Sequence, residues 1–186
     1  MKTTLRKIKS FDPQYFGSND FMKKLCKNLG TTNLDTEVSI LQILESNGVE
    51  DAFWALRTQD YKDYCLILAD IAESVLDIAE EKFPKDVRPR KGIQGIRDYK
   101  DGKISIKELK SLANAVADSD QVYVSIAAVA WGATGRAIHG EYDCASKTSD
   151  AVICGATADA GDHSQLAKEI QIIKNEEILR KYLQTK

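Results

Sequence analysis

The segment of residues 60–83 constrains the fold of this chain more than any other stretch. Its apolar side chains recur at intervals of three and four residues, which places them on one face of an α-helix. They are Tyr61, Cys65, Leu68, Ala72, Val75, Leu76, Ala79 and Phe83. Asp60 stands where a capping residue is expected, and Pro84 cannot continue the helix. We therefore predict one central helix of about 23 residues, or six turns.

The rest of the chain also favours helices. All three prolines, Pro13, Pro84 and Pro89, lie in the first half, and alanine, the best helix former, is enriched from residue 113 onward. A length of 186 residues fits one domain at roughly 150 residues per domain. We predict an all-α fold: a single compact bundle of about seven or eight helices with an alanine-rich C-terminal half. Residues 1–20 lack a clear period and are expected to form an arm on a single helical domain of residues 21–186.

Local signals place the other helices. Asp35 or Thr36 is predicted to begin a short helix that ends at Asn47-Gly48, and residues 49–57 to form another, anchored by Trp54. The turn Asp101-Gly102 precedes a capping box, Ser105 with Glu108, so a helix is expected from residue 105 to about 118.

Two predictions concern the C-terminal half. Val122, Val124 and Ile126 alternate as in a strand, yet the alanines that follow favour a helix continuing to Trp131, which we expect to be buried like Trp54. The last helix is predicted over residues 164–183. We expect one side of this helix to carry the apolar residues Leu166, Ile170, Ile173 and Ile178.

Composition excludes several classes of protein. Hydrophobic residues make up 43% and charged residues 29%, with a net charge of −2, which excludes disorder, collagen and a dedicated polyanion binder. Cys26, Cys65, Cys144 and Cys154 contain no CxxC pair and are interpreted as reduced thiols. The longest uncharged stretch, residues 121–135, is too short to span a bilayer, and the basic N-terminus lacks the apolar run of a signal peptide. A cytoplasmic protein without membrane or nucleic-acid partners is expected; its oligomeric state stays open.

Two stretches carry side chains of the types that ligate metals. Residues 101–108 resemble the second half of an EF-hand loop, but Arg97 and Tyr99 stand where calcium ligands are required. The residues that could ligate zinc lack the paired spacing of a zinc site. They are His139, Asp143, Cys144, Cys154 and His163. No nucleophile, base and orienting group occur together either. We expect no metal, no cofactor and no catalysis, with a small metal-dependent helical enzyme as a remaining alternative.

The arginines are the candidate binding residues. They are few, seven against 19 lysines, and two of them stand together in Asp86-Val87-Arg88-Pro89-Arg90. A guanidinium can hold a carboxylate or a phosphate by two hydrogen bonds at once. Either these arginines pair with Asp70, Glu73 or Asp77 of the central helix while Asp86 caps the next one, or they contact a ligand or a partner. The candidate binding set is Arg88, Arg90, Arg57, Arg97, Arg136 and Asp86.

Several stretches together resemble the Imm5-like group of immunity proteins, whose relatives are common in phages and other mobile elements. The most specific motif is D-x-R-P-R, followed by an isoleucine-bearing helix and a D/N-G-x-I-S turn. The similarity covers about residues 49–160, with a tail less strictly alanine-periodic than the pattern. The residues that carry it are 51–57 (DAFWALR), Phe83-Pro84, 86–93 (DVRPRKGI), Tyr99 and 102–105 (GKIS).

The resemblance implies an all-helical protein of bacterial conflict that binds and blocks a toxin and has no catalytic cycle. A phage version could instead antagonise a host-defence effector. A second alternative is a sponge that sequesters a small phosphate-bearing signalling nucleotide, for which the arginines would line the pocket.

Overall fold

The all-α fold is confirmed. The computed structural model describes residues 1–11, 20–117 and 164–184. These residues form nine α-helices, one short 3-10 helix at Leu56–Thr58 and a two-stranded sheet. The predictions for Val122, Val124, Ile126 and Trp131 fall outside the described residues.

The described ranges contain nine α-helices, which are numbered here in chain order. In chain order they are α1 (Leu5–Ser10), α2 (Asp20–Leu29), α3 (Ile40–Asn47), α4 (Val49–Ala55), α5 (Tyr61–Glu73), α6 (Leu76–Lys82), α7 (Arg88–Lys100), α8 (Ile106–Ala117) and α9 (Ser164–Gln184). Helix α5 packs against α7 and α9, and α7 packs against α8. Helix α9 also contacts α3 and α4, so it links these two helices to α5.

The predicted helix start at Asp35 or Thr36 was wrong, because a strand precedes the helix. Strands β1 (Lys2–Thr4) and β2 (Glu37–Ser39) pair antiparallel, with Thr3 opposite Val38. Ser39 then caps α3: its hydroxyl accepts the Gln42 N–H, and the Gln42 side chain accepts the Ser39 N–H. This reciprocal capping box ties the helix start to Ile40.

The predicted single helix of residues 60–83 is divided into α5 and α6 at Ser74. The Ser74 hydroxyl donates to the Ile71 carbonyl at 2.7 Å, and the Val75 N–H bonds to Ala72, three residues back. Such a serine competes with the regular helical bond and tightens the turn. The division gives two helices where one was predicted. Asp60 is the N-cap residue of α5, but its side chain makes no capping hydrogen bond.

Helices α3, α4 and α5 supply many of the core side chains. Phe53 and Leu56 are fully buried, and Trp54 is 4% exposed and packs on the Phe21 ring at 5.1 Å, which confirms its predicted burial. Helices α7 and α8 approach closely because Gly95 has no side chain: a Cβ there would lie 2.4 Å from Leu112 Cδ1.

Helix α9 has the predicted length, but most of the apolar residues predicted to share one side of it face away from the core, and only Ile178 packs partly buried against the core. Leu166, Ile170 and Ile173 are exposed, by 56%, 44% and 56% of their surface. The buried side instead carries Gln171, Asn175, Leu179 and Leu183. Gln171 Nε2 donates to Ser74 Oγ at 3.0 Å and to Asn175 Oδ1 at 2.9 Å, so these polar groups are satisfied inside the core.

Candidate functional site

The segment 86–90 forms the connection into α7, and its first arginine binds back to Asp86. Arg88 Nε and Nη2 lie 2.7 and 2.6 Å from the two carboxylate oxygens of Asp86. The same carboxylate accepts the Arg88 backbone N–H at 3.0 Å, so Asp86 satisfies one donor in the first turn of α7 from the position before the N-cap residue Val87. The guanidinium beside it lowers the pKa of the Asp86 carboxyl below its usual range.

Arg90 reaches across to α6. Its Nε and Nη2 atoms each lie 2.6 Å from one oxygen of Glu80, in a bidentate pair that lowers the pKa of that carboxyl. The Arg90 side chain is 56% exposed, so water screens this pair strongly.

Arg97 makes the arginine contacts with α5 that were predicted for Arg88 or Arg90. Its guanidinium binds both oxygens of Glu73, at 3.0 and 2.6 Å, and Oδ1 of Asp70 at 2.9 Å. Asp70 and Glu73 are two of the three acids named in the structural interpretation, but the arginine that reaches them lies outside segment 86–90. Arg97 lies two helical turns beyond Arg90 along α7, which brings it opposite α5 rather than α6. The hydrogen bonds to Glu73 are the main reason why the pKa of Arg97 rises further above its ordinary value.

Asp70 also holds the C-terminal helix. Tyr182 of α9 donates its hydroxyl to Asp70 Oδ2 at 2.8 Å, and Lys181 Nζ lies 3.5 Å from the same oxygen. Burial, and then the bond to this carboxylate, raises the pKa of Tyr182. Asp70 therefore joins α5, α7 and α9 at one point, although Lys181 and Tyr182 lie 111 and 112 positions away from it in sequence.

The remaining candidates lie apart from this group. Arg57 donates from Nε to the Trp54 carbonyl at 3.0 Å and lies 4.2 Å above the centroid of the Trp54 ring. Arg136 lies outside the described residues. The structure therefore brings Arg88 together with Asp86, whereas Arg57, Arg90 and Arg97 each contact a different partner. The described candidate arginines thus all make contacts within the fold.

Sequence reasoning did not single out a cluster of tyrosines at one end of α5 and α7. The Tyr61 and Tyr64 rings meet edge to face with centroids 5.6 Å apart, and the Tyr61 and Tyr99 rings lie 6.3 Å apart. Lys62 Nζ lies 4.9 Å above the Tyr99 ring. The spacing of Tyr61 and Tyr64 would have shown that both lie on one face of a helix, but no local signal links them to Tyr99.

The turn between α7 and α8 forms as predicted. Gly102 has a φ of 74°, a conformation that glycine adopts at little cost, and Lys103 N–H closes the turn onto the Asp98 carbonyl at 2.8 Å. Ser105 and Glu108 form the predicted capping box, with the Glu108 carboxylate 2.7 Å from the Ser105 nitrogen.

Metal-ligating side chains do not cluster in the described ranges. In residues 1–11, 20–117 and 164–184, no three His, Cys, Asp or Glu residues are grouped to hold a metal ion. The candidate zinc residues His139, Asp143, Cys144, Cys154 and His163 lie outside these ranges. Among the described helices, none has both the length and the hydropathy of a membrane-spanning segment.

Comparison with known proteins gives one match. The model of a family described as Imm-5 like putative immunity protein matches residues 55–138. No curated protein and no solved structure matches the chain. The matched segment begins at the end of α4, includes α5 to α8 and lies inside the range of about 49–160 that was expected from the motifs. The resemblance is therefore confirmed: residues 55–138 of this chain carry the sequence pattern of the Imm-5 like putative immunity protein family.

Proposed function

We propose that this protein is a non-enzymatic binding protein of bacterial or phage conflict that neutralises a toxin or a defence effector by covering it. The observation that carries the proposal is the match of residues 55–138 to a family of immunity proteins. An inhibitor of this kind needs a stable surface of about 800 Å² per partner and no reactive group.

The contacts of the arginines are consistent with this role. Arg88, Arg90 and Arg97 each hold a carboxylate by two hydrogen bonds. A bound phosphate would have to displace these carboxylates and leave them without a cation. The arginine geometry thus lends no support to the alternative of a nucleotide sponge, and a binding surface made of other residues is favoured.

The proposal is tested by co-expressing the chain with the product of the neighbouring gene. We expect the neighbour to be toxic alone, the chain to restore growth, and a complex of both to survive gel filtration. If the neighbour is harmless, or the two proteins elute separately and growth is not restored, the proposed function is wrong. Release of a stoichiometric nucleotide on denaturing the purified chain, identified by mass spectrometry, would favour the sponge.

A further inference from the structure

The surface best equipped to contact a partner lies where α5 begins and α7 ends. We call it the tyrosine patch and define it as Tyr61, Lys62, Tyr99 and Lys100. Tyr61 and Tyr99 are half-buried and rest with the buried Tyr64 in a group of three rings. Rings held in this way offer a large amphipathic surface and lose little conformational entropy on binding, which is why tyrosine is enriched at protein interfaces.

The polar groups of the patch are hydrogen-bond donors. Lys62 Nζ lies over the Tyr99 ring, and the Lys100 ammonium donates to the Lys62 carbonyl. Neither lysine forms an ion pair with a carboxylate in the part of the chain that the structure describes, and the Tyr99 hydroxyl has no hydrogen-bond partner there. Two ammonium groups and a phenol at one site can bind oxygen atoms that carry negative charge.

The nearby carboxylates do not cancel this charge. Asp98 and Asp101 both pair with Lys103, at 3.6 and 2.8 Å. Asp63 lies on the opposite side of α5 from Tyr61, since two residues correspond to about 200° of rotation. Asp60 precedes Tyr61 at the start of α5, so an anionic partner is accommodated best from the side of α7.

We propose that the tyrosine patch is the surface through which this protein binds its toxin, and that it receives a segment of the toxin rich in Asp and Glu side chains. Carboxylates would accept hydrogen bonds from Lys62, Lys100 and Tyr99, while apolar parts of the same segment lie on the rings. The identity of the partner as a toxin rests on the proposed function. The preference for carboxylates rests on the patch alone.

The patch is tested directly by nuclear magnetic resonance titration of the full chain with a hexaglutamate peptide at low and high salt. We expect shifts centred on residues 61, 62, 99 and 100 that weaken with salt. The double variant K62E/K100E should lose binding at least about tenfold. The matched control is K107E/K110E, which reverses two exposed lysines of α8 and should bind like the wild type.

A second variant separates recognition from folding. Tyr99→Phe keeps the ring and removes the hydroxyl donor, so the fold is retained while peptide affinity falls a few-fold. The proposal is overturned if no shifts occur at the patch, if both double variants weaken binding equally, or if a hexathymidine oligonucleotide binds the patch and the peptide does not.

The toxin identified by co-expression extends the test. K62E/K100E should slow its association and weaken affinity at least about tenfold, whereas the α8 control should not. If both variants bind the toxin as the wild type does, the patch is not the toxin surface although the proposed function holds. If the neighbouring protein does not bind the wild type, the proposed function fails, and the peptide titration still decides what the patch binds.

Discussion

Arg97 Nη2 lies 2.6 Å from Glu73 Oε2 and 2.9 Å from Asp70 Oδ1, so one guanidinium joins two carboxylates on successive turns of α5. Arg97 comes from α7, and Tyr182 of α9 donates to the same Asp70. Three helices from distant parts of the chain thus meet at one small ionic network. Networks that are only partly exposed contribute more to stability than isolated surface pairs do.

The first prediction compares two arginines of α7. Arg97→Ala should lower the free energy of unfolding by about 1–3 kcal/mol, because a partly buried carboxylate loses the nearer of its two cations. That carboxylate is Asp70, which is mostly shielded from water. Arg90→Ala should cost clearly less, because its pair with Glu80 is well solvated. Urea denaturation followed by circular dichroism measures the free energy of unfolding of both variants. Equal losses of this free energy would contradict the expected difference between the two ion pairs.

The second prediction concerns pH. Arg97 lowers the pKa of Glu73 in the folded state below its unfolded value, which is about 4.3 for a glutamate. The pair therefore contributes fully above the unfolded pKa, and its contribution is lost as the pH falls through the folded pKa. As the pH is lowered through this range, the melting temperature of the wild type should fall more steeply than that of Arg97→Ala. Parallel curves would show that this pair does not contribute to acid sensitivity.

The third prediction concerns the two faces of α9. Gln171→Ala should destabilise the fold by about 1–3 kcal/mol, because one buried and one part-buried polar group each lose a hydrogen bond. Those groups are the Ser74 and Asn175 side chains, which both bond to the buried Gln171 amide. Ile173→Ala should have a much smaller effect, because the Ile173 side chain is exposed to solvent. Thermal unfolding distinguishes them, and a larger effect at Ile173 would mean that the buried face has been misassigned.

The fourth prediction tests the capping box of α8. Ser105→Ala should cost about 1 kcal/mol, as is typical when an N-cap hydroxyl is removed. The Glu108 N–H loses its acceptor, and the Glu108 side chain loses a hydrogen bond. The matched control, Ser111→Ala, changes an exposed serine within the same helix and should be neutral or slightly stabilising. If the two variants unfold at the same urea concentration, the cap does not stabilise the helix.

The fifth prediction compares two thiols. Burial raises the pKa of Cys65 to about 11, so its thiolate is scarce near neutral pH, whereas Cys26 is only partly buried. Iodoacetamide should modify Cys26 at least roughly tenfold faster than Cys65, as measured on the separated peptides by mass spectrometry. In urea the two rates should converge. Comparable rates in the folded protein would contradict the burial of Cys65.

Features that depend on neighbouring residues could be predicted from the sequence. The Ser105 and Glu108 cap, the Gly102 turn and the length of α9 were predicted correctly, because each depends on residues within a few positions of one another. The helical character of residues 60–83 was also predicted, although its division was not. The break at Ser74 is associated with a hydrogen bond from Gln171, which lies 97 residues away.

The candidate site shows the same contrast between local and long-range features more clearly. Residue types alone left open whether the arginines pair with Asp70, Glu73 or Asp77 or contact a ligand or partner, since a guanidinium holds any of these by two hydrogen bonds. Which arginine reaches which acid depends on the packing of α7 on α5 and α6, and this assigned Arg97 to α5 and Arg90 to α6. The tyrosine patch likewise exists only because α7 ends beside the start of α5.

The sequence by itself determined the helical class, the capped start of α8 and the family resemblance of the central segment. Only the tertiary structure decided which face of α9 is buried, since its core side carries Gln171 and Asn175 while three apolar residues remain exposed. Hydrophobic periodicity assumes that apolar residues face the core. A polar pair can replace them when its hydrogen bonds are satisfied inside the protein, and those partners are known only once distant helices are in contact.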